Sequence, residues 1–161
     1  MHRADRLIHD LHLQPHPEGG WFRETHRSRQ QVATPHGERA AATAIWFLLR
    51  SPQVSRWHRI RSDECWHWYE GLPLQLLMCE RPGQPIVRQR LGPAADGALP
   101  QRIVPAGWWQ AALLPPEAYA LVGCTVAPGF DFADFTILDP AGADAAWFRK
   151  QADARLVDGT P

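Results

Sequence analysis

His58 and Glu64 stand six positions apart in Trp57-His58-Arg59-Ile60-Arg61-Ser62-Asp63-Glu64-Cys65-Trp66-His67-Trp68-Tyr69-Glu70-Gly71, ahead of a strand closed by glycine. A carboxylate beside an imidazole orients the ring and raises its basicity toward neutral pH, which suits proton transfer next to a carbonyl. The same pair can equally be structural or simply grip a ligand. Farther along, Pro105-Ala106-Gly107-Trp108-Trp109-Gln110 makes a tight turn followed by a strand, and Gln110 is the first polar side chain that can reach the same cavity. Together the two segments read as a ligand site on a β-barrel.

Other side chains are candidates for contact with a ligand. On a regular strand Trp66 and Trp68 share the side of Glu64, so they line the inner wall, either stacking on a substrate or filling the barrel. His67 falls on the opposite side unless a bulge reverses it. Arg23 can offer a bidentate fork to a carboxylate or phosphate, or form a salt bridge with Glu24. Cys124 has no basic neighbour in sequence to lower its pKa and reads as a buried, inert thiol. Asp131 and Asp134 read as turn and rim residues.

The elements that must position these groups are mostly strands. Leu7, Ile8 and Leu11 recur at helical spacing, which predicts a short amphipathic helix before Pro15, lying on the outside of the barrel. Pro15-His16-Pro17-Glu18-Gly19-Gly20 is a turn, since prolines fix φ and glycines permit positive φ. Strands are expected at 21–28, 43–49, 55–61, 64–70, 73–80, 85–91, 99–104, 108–114, 119–126 and 133–138. Residues 29–42 are polar, contain Pro35 and Gly37, and read as a loop long enough to be a flap over one barrel end. A short terminal helix is expected around Ala143–Gln151, followed by a frayed tail. Many short strands with few helical windows indicate an all-β sandwich or barrel, with the double-sheet jelly roll as one closed solution.

Composition narrows the function classes. A chain of 161 residues fits a single domain, 1–161, with its core at about 15–138. Lys plus Arg and Asp plus Glu both number 17, with no basic run, so no nucleic-acid partner is expected. The N-terminus shows neither a secretory signal nor a membrane span, which predicts a cytoplasmic protein without a membrane partner. Three widely spaced cysteines suit neither a disulfide framework nor a paired-cysteine zinc site. Eight tryptophans serve both cores and ligand pockets, and Trp108-Trp109 with the exposed edges of the strands suggest a homodimer interface.

Four strings carry a family likeness: Pro15-His16-Pro17-Glu18-Gly19-Gly20-Trp21-Phe22-Arg23-Glu24-Thr25; Ser62-Asp63-Glu64-Cys65-Trp66-His67-Trp68-Tyr69; Pro100-Gln101-Arg102-Ile103-Val104-Pro105-Ala106-Gly107-Trp108-Trp109-Gln110; and Leu121-Val122-Gly123-Cys124-Thr125-Val126-Ala127-Pro128-Gly129-Phe130-Asp131-Phe132. They resemble cupin family 5 of the cupin superfamily, also labelled domain of unknown function 985, over roughly residues 7–138. The resemblance implies a cupin double-stranded β-helix, a jelly-roll barrel with short N- and C-terminal helices, commonly dimeric, with a pocket in the barrel mouth. It also keeps His67, inside the second string, as a pocket candidate. Against the general cupin motifs, His58, Glu64, Gly71, Pro105 and Gly107 match, while Ile60 and Gln110 stand where histidines belong. His58, Glu64 and Gln110 are then the set that would hold a divalent metal ion, with waters completing its shell. Three readings follow: a metal-independent isomerase or epimerase of a small polar or sugar-like compound using His58 and Glu64, a metal-dependent, dioxygenase-like enzyme, and a non-catalytic small-molecule-binding protein. Fold alone does not choose among them.

Overall fold

The computed structural model describes residues 2–160. Along the chain, helix α1 (Arg3–Asp10) is followed by strands β1 (Gln14–Pro15), β2 (Trp21–Arg27), β3 (Gln31–Thr34), β4 (Gly37–Ala40) and β5 (Thr43–Arg50). Next come β6 (Ser55–Arg59), β7 (Asp63–Gly71), β8 (Leu74–Cys79), β9 (Val87–Leu91) and β10 (Ala98–Leu99). The remainder comprises β11 (Gln101–Val104), β12 (Trp109–Leu113), β13 (Tyr119–Ala127), a 3-10 turn at Phe132–Asp134, β14 (Thr136–Ile137), α2 (Ala145–Gln151) and α3 (Arg155–Asp158).

Two six-stranded sheets, β1-β2-β5-β13-β7-β11 and β10-β9-β8-β12-β6-β14, face each other as a jelly roll. Their inner faces interdigitate: Phe47, Trp66 and Val122 from the first sheet meet Leu74, Leu76, Met78 and Ala112 from the second. Strand β8 is apolar on both faces because its other side is covered too, Leu77 and Cys79 packing with Trp57, Trp109, Phe148, Leu156 and Val157. The helix α1 closes the outer face of the first sheet, seating Ala4 and Leu7 against Leu48 and Leu121, as its apolar spacing predicted. Among the described residues no helix is long and apolar enough to cross a membrane.

Three expectations need correction. Residues 31–40 are not a loop but an antiparallel hairpin, β3 paired with β4 from Gln31↔Ala40 to Thr34↔Gly37. Its root is fastened by Arg39, whose Nε and Nη2 donate to Asp134 at 2.8 and 2.9 Å. The segment after α2 is not frayed, because α3 buries Leu156 and Val157 completely. Nor does Trp108-Trp109 offer an open aromatic face: Trp109 is buried beneath Phe148, ring centroids 5.8 Å apart, and Trp108 packs against the inter-sheet core.

Three β-bulges interrupt the ladders. Between Glu24 and His26, β2 places two residues opposite one of β5. Within β6, the register passes from Gln110↔His58 to Ala112↔Ser55, so three residues oppose two. In β7, Trp68 faces Val122 and Glu70 faces Leu121, leaving Tyr69 as the extra residue. A bulge re-aims side chains by changing the phase of the period-two alternation, and the first two of these build the site.

Candidate functional site

A cavity of about 270 Å³ opens between the sheets at one end of the sandwich, with His16, Glu18, His58 and Glu64 among its lining residues. Its walls are apolar, carrying Phe22, Phe47, Ile45, Ile60 and Val126, and the Phe130, Phe132 and Phe135 rings stand edge-on to one another there.

Local backbone geometry delivers each polar group. Gly19 and Gly20 adopt φ of +111° and +74°, and a Cβ on either would collide with Val54 O or with the Phe47 ring and Leu48 O. Only glycine fits both conformation and space there, and this turn sends Glu18 inward, 5 % exposed. The β6 bulge lets Ser55 and His58 face the same side although three positions apart. Ser55 Oγ donates to Glu18 Oε1 at 2.7 Å, and His58 Nε2 lies 3.1 Å from Glu18 Oε2. In β2 the bulge keeps both Glu24 and Arg27 on the cavity wall, opposite Ile45 and Thr43 respectively. There Arg27 grips Glu24 through two bonds of 2.9 and 2.8 Å.

Hydrogen-bond partners fix the proton positions. His58 Nδ1 is 2.7 Å from the Arg56 carbonyl, which only accepts, so Nδ1 carries a hydrogen and Nε2 faces Glu18. Burial pushes the His58 imidazole down and the Glu18 carboxyl up. Both directions favour the uncharged form of each group. His16 Nδ1 accepts from the Glu18 backbone N–H at 3.2 Å, which places its hydrogen on Nε2. Burial also lowers the His16 imidazole below its ordinary value.

Glu64 is held from behind. Trp66 Nε1 donates to Gln110 Oε1 at 2.8 Å, and Gln110 Nε2 donates to Glu64 Oε2 at 2.5 Å. An indole N–H can only donate, so the amide orientation is unambiguous. Burial drives the Glu64 carboxyl up, and the neighbouring Cys124 thiol is raised well above its ordinary value by burial and by that carboxyl. Cys124 is therefore a poor nucleophile.

The structure thus brings His58 and Glu64 to one cavity and sets Gln110 behind Glu64. His58 Nε2 lies 3.1 Å from Glu18 Oε2, and the Glu64 carboxyl also acts on its ring. Trp66 and Trp68 point into the sandwich as parity predicted, but they fill it and do not line the opening. His67 is a correction: the β7 bulge lies past it, at Tyr69, so its outward phase stands, and Nε2 pairs with Thr125 Oγ1 at 2.9 Å. Arg23 is also outside, donating to the Leu11 carbonyl at 3.2 Å, while Glu24 pairs with Arg27. Asp131 caps the 3-10 turn through the Ala133 N–H, and Asp134 is fastened to Arg39.

A divalent ion held by His58, Glu64 and Gln110 does not fit these side chains. The amide oxygen of Gln110 is turned to Trp66, and its nitrogen, as a donor, has no lone pair for a cation. Among the described residues no group of three or more His, Cys, Asp and Glu side chains is placed to hold a metal ion. Glu18, His16, Ser55, Glu24 and Arg27 are site residues that strand parity alone does not reveal. The one sequence signal for Glu18 is a carboxylate set directly before two glycines.

Comparison with known proteins places this geometry in a family. The uncharacterized protein YML079W of Saccharomyces cerevisiae is 32 % identical over 151 residues, covering 83 % of this chain and 74 % of its own length. A hypothetical protein from Leishmania major superposes with a TM-score of 0.85 at 33 % identity, covering 98 % of this chain and 97 % of that one. A protein from Shewanella oneidensis has a TM-score of 0.85 and 33 % identity, with 98 % of each chain covered. Residues 5–138 match the family described as "Cupin superfamily (DUF985)", and the chain belongs to it.

Proposed function

We propose that this protein binds a small molecule in the sandwich cavity and catalyses metal-independent proton transfer on it, as an isomerase or epimerase does. One observation carries the reading: the buried contact of 3.1 Å between His58 Nε2 and Glu18 Oε2, at the wall of a cavity that Glu64 also lines. Two titratable groupings on one hollow are what a proton shift next to a carbonyl requires, one to remove a proton from carbon and one to supply a proton to oxygen or carbon. Glu64, oriented by Gln110, supplies the acceptor, and the Glu18–His58 pair supplies the donor. The apolar walls exclude water from the reacting carbon and strengthen the electrostatics of both groupings.

The test is deuterium uptake from D2O at the carbon beside the carbonyl, followed by proton NMR for a panel of small aldoses, ketoses, α-hydroxy ketones and α-amino ketones with chelator present. Exchange is expected for at least one compound, and His58→Ala or Glu64→Gln is expected to slow it by about a hundredfold or more, the usual contribution of a general acid or base. Exchange that survives both substitutions, or that starts only on adding a divalent ion, overturns the proposal. Tight retention of a molecule through purification with no exchange in any compound would favour a binding protein instead.

A further inference from the structure

The charges around the cavity select among ligands, an inference that rests on the reading above and narrows its substrate class. The guanidinium of Arg27 is neutralised by Glu24, to which it donates twice, and its Nη2 also reaches the Phe130 carbonyl at 3.1 Å. Glu18 faces His58 at 3.1 Å. The lining carboxyls that face no basic side chain within ion-pair distance are Glu64 on the wall and Asp131 at the rim.

Glu64 is 7 % exposed and its Oε2 is taken by Gln110, while the other hydrogen-bonding neighbour of its carboxyl is the Cys124 thiol, a weak donor. A buried carboxyl supplied by one amide and one weak thiol donor keeps acceptor capacity to spare, and this one lines the hollow. An entering anion would meet two carboxyl groups and no unpaired cation. A cation would meet the same groups and the faces of aromatic rings, whose quadrupoles attract positive charge.

We propose that the cavity takes a small organic ammonium ion, its N–H bonds directed at Glu64 Oε1 and its hydrocarbon part lying against Phe22, Phe47 and Phe135. A volume of about 270 Å³ falls just below the range of roughly 300–1,000 Å³ that holds drug-sized ligands. The ligand is thus no larger than a single ring with a short arm.

Calorimetric titration at pH 8 with benzylamine, benzyl alcohol and benzoate decides the matter, because the three share a frame and differ in charge. Benzylamine is expected to bind about tenfold more tightly than benzyl alcohol, with benzoate weakest, a ratio within the reach of one desolvated cation contact. Glu64→Gln should erase the advantage of the amine and leave benzyl alcohol within about twofold of its original affinity. Circular dichroism confirms that the variant is folded, and Asp131→Asn, at the half-buried rim, should remove a smaller part of the advantage. Equal binding of all three, preference for benzoate, no binding of benzylamine, or an advantage untouched in both variants overturns the inference. Deuterium exchange confined to uncharged carbonyl compounds would remove the ammonium ion and leave the proton-transfer reading standing. Amine binding without any exchange would do the reverse.

Discussion

Gln110 shows how much of a site one residue can decide. In the sequence it is a departure from a motif, a weak donor where a histidine belongs. In the fold it is a fully buried bridge whose two ends match an indole N–H and a carboxyl oxygen. Gln110→Leu preserves bulk but leaves Trp66 Nε1 and Glu64 Oε2 without partners, so urea denaturation should register a loss of about 2–4 kcal/mol, the combined cost of two buried unsatisfied groups. A loss below about 1 kcal/mol would mean that the bridge is not maintained in solution. His58 and Glu64 were legible because motif and strand parity agree on them. Glu18 was not, since its approach to His58 depends on a turn some forty positions earlier and on a bulge that no local pattern announces. Arg23, the arginine the sequence offered for a ligand, faces out beside wall residue Glu24, and the bulge after Glu24 brings Arg27 to the wall instead.

The elements that read clearly were those whose burial leaves a mark on composition. Strands β5, β8 and β13 are rich in apolar residues because both their faces are covered, and their observed limits fall within two residues of those expected. The β3–β4 hairpin leaves no such mark. Its residues are mostly exposed and it rests on its own ladder, on the Thr34 hydroxyl donating to the Gly37 carbonyl at 2.6 Å, and on the Arg39–Asp134 fork. Short α3 escaped for a different reason: four residues are too few for helical periodicity, and it is held by the packing of Leu156 and Val157, the Arg149–Asp158 ion pair and the Arg155 N–H bond to Asp153. Because the Arg39 fork is the hairpin's charged tie to the rest of the sandwich, Arg39→Ala should speed amide hydrogen exchange across residues 31–40 while β5 and β13 keep their protection. Equal acceleration in the hairpin, β5 and β13 would show that the hairpin does not open as a separate unit.

At the scale of the whole molecule, the sandwich has placed two imidazoles and two carboxyls where burial opposes the charge of each. The consequences for stability run in opposite directions. For His16 the folded value lies below the ordinary 6.5. As pH falls, the unfolded chain binds the proton first, and stability present above that value is lost below it. The folded value of Glu64 lies above the ordinary 4.5. As pH rises, the unfolded chain releases its proton first, and stability present below that value is lost as pH climbs through the folded one. Removing one group at a time separates the two slopes. Relative to the unaltered chain, His16→Gln should gain melting temperature progressively as pH drops below about 6.5, whereas Glu64→Gln should gain it as pH rises above about 4.5. Thermal melts at several pH values between 4 and 8 give both difference curves. If either curve is flat, the group in question has access to solvent enough to ionise freely, and the closed, low-dielectric hollow that both the proton-transfer chemistry and the selection of a cation require does not exist around it.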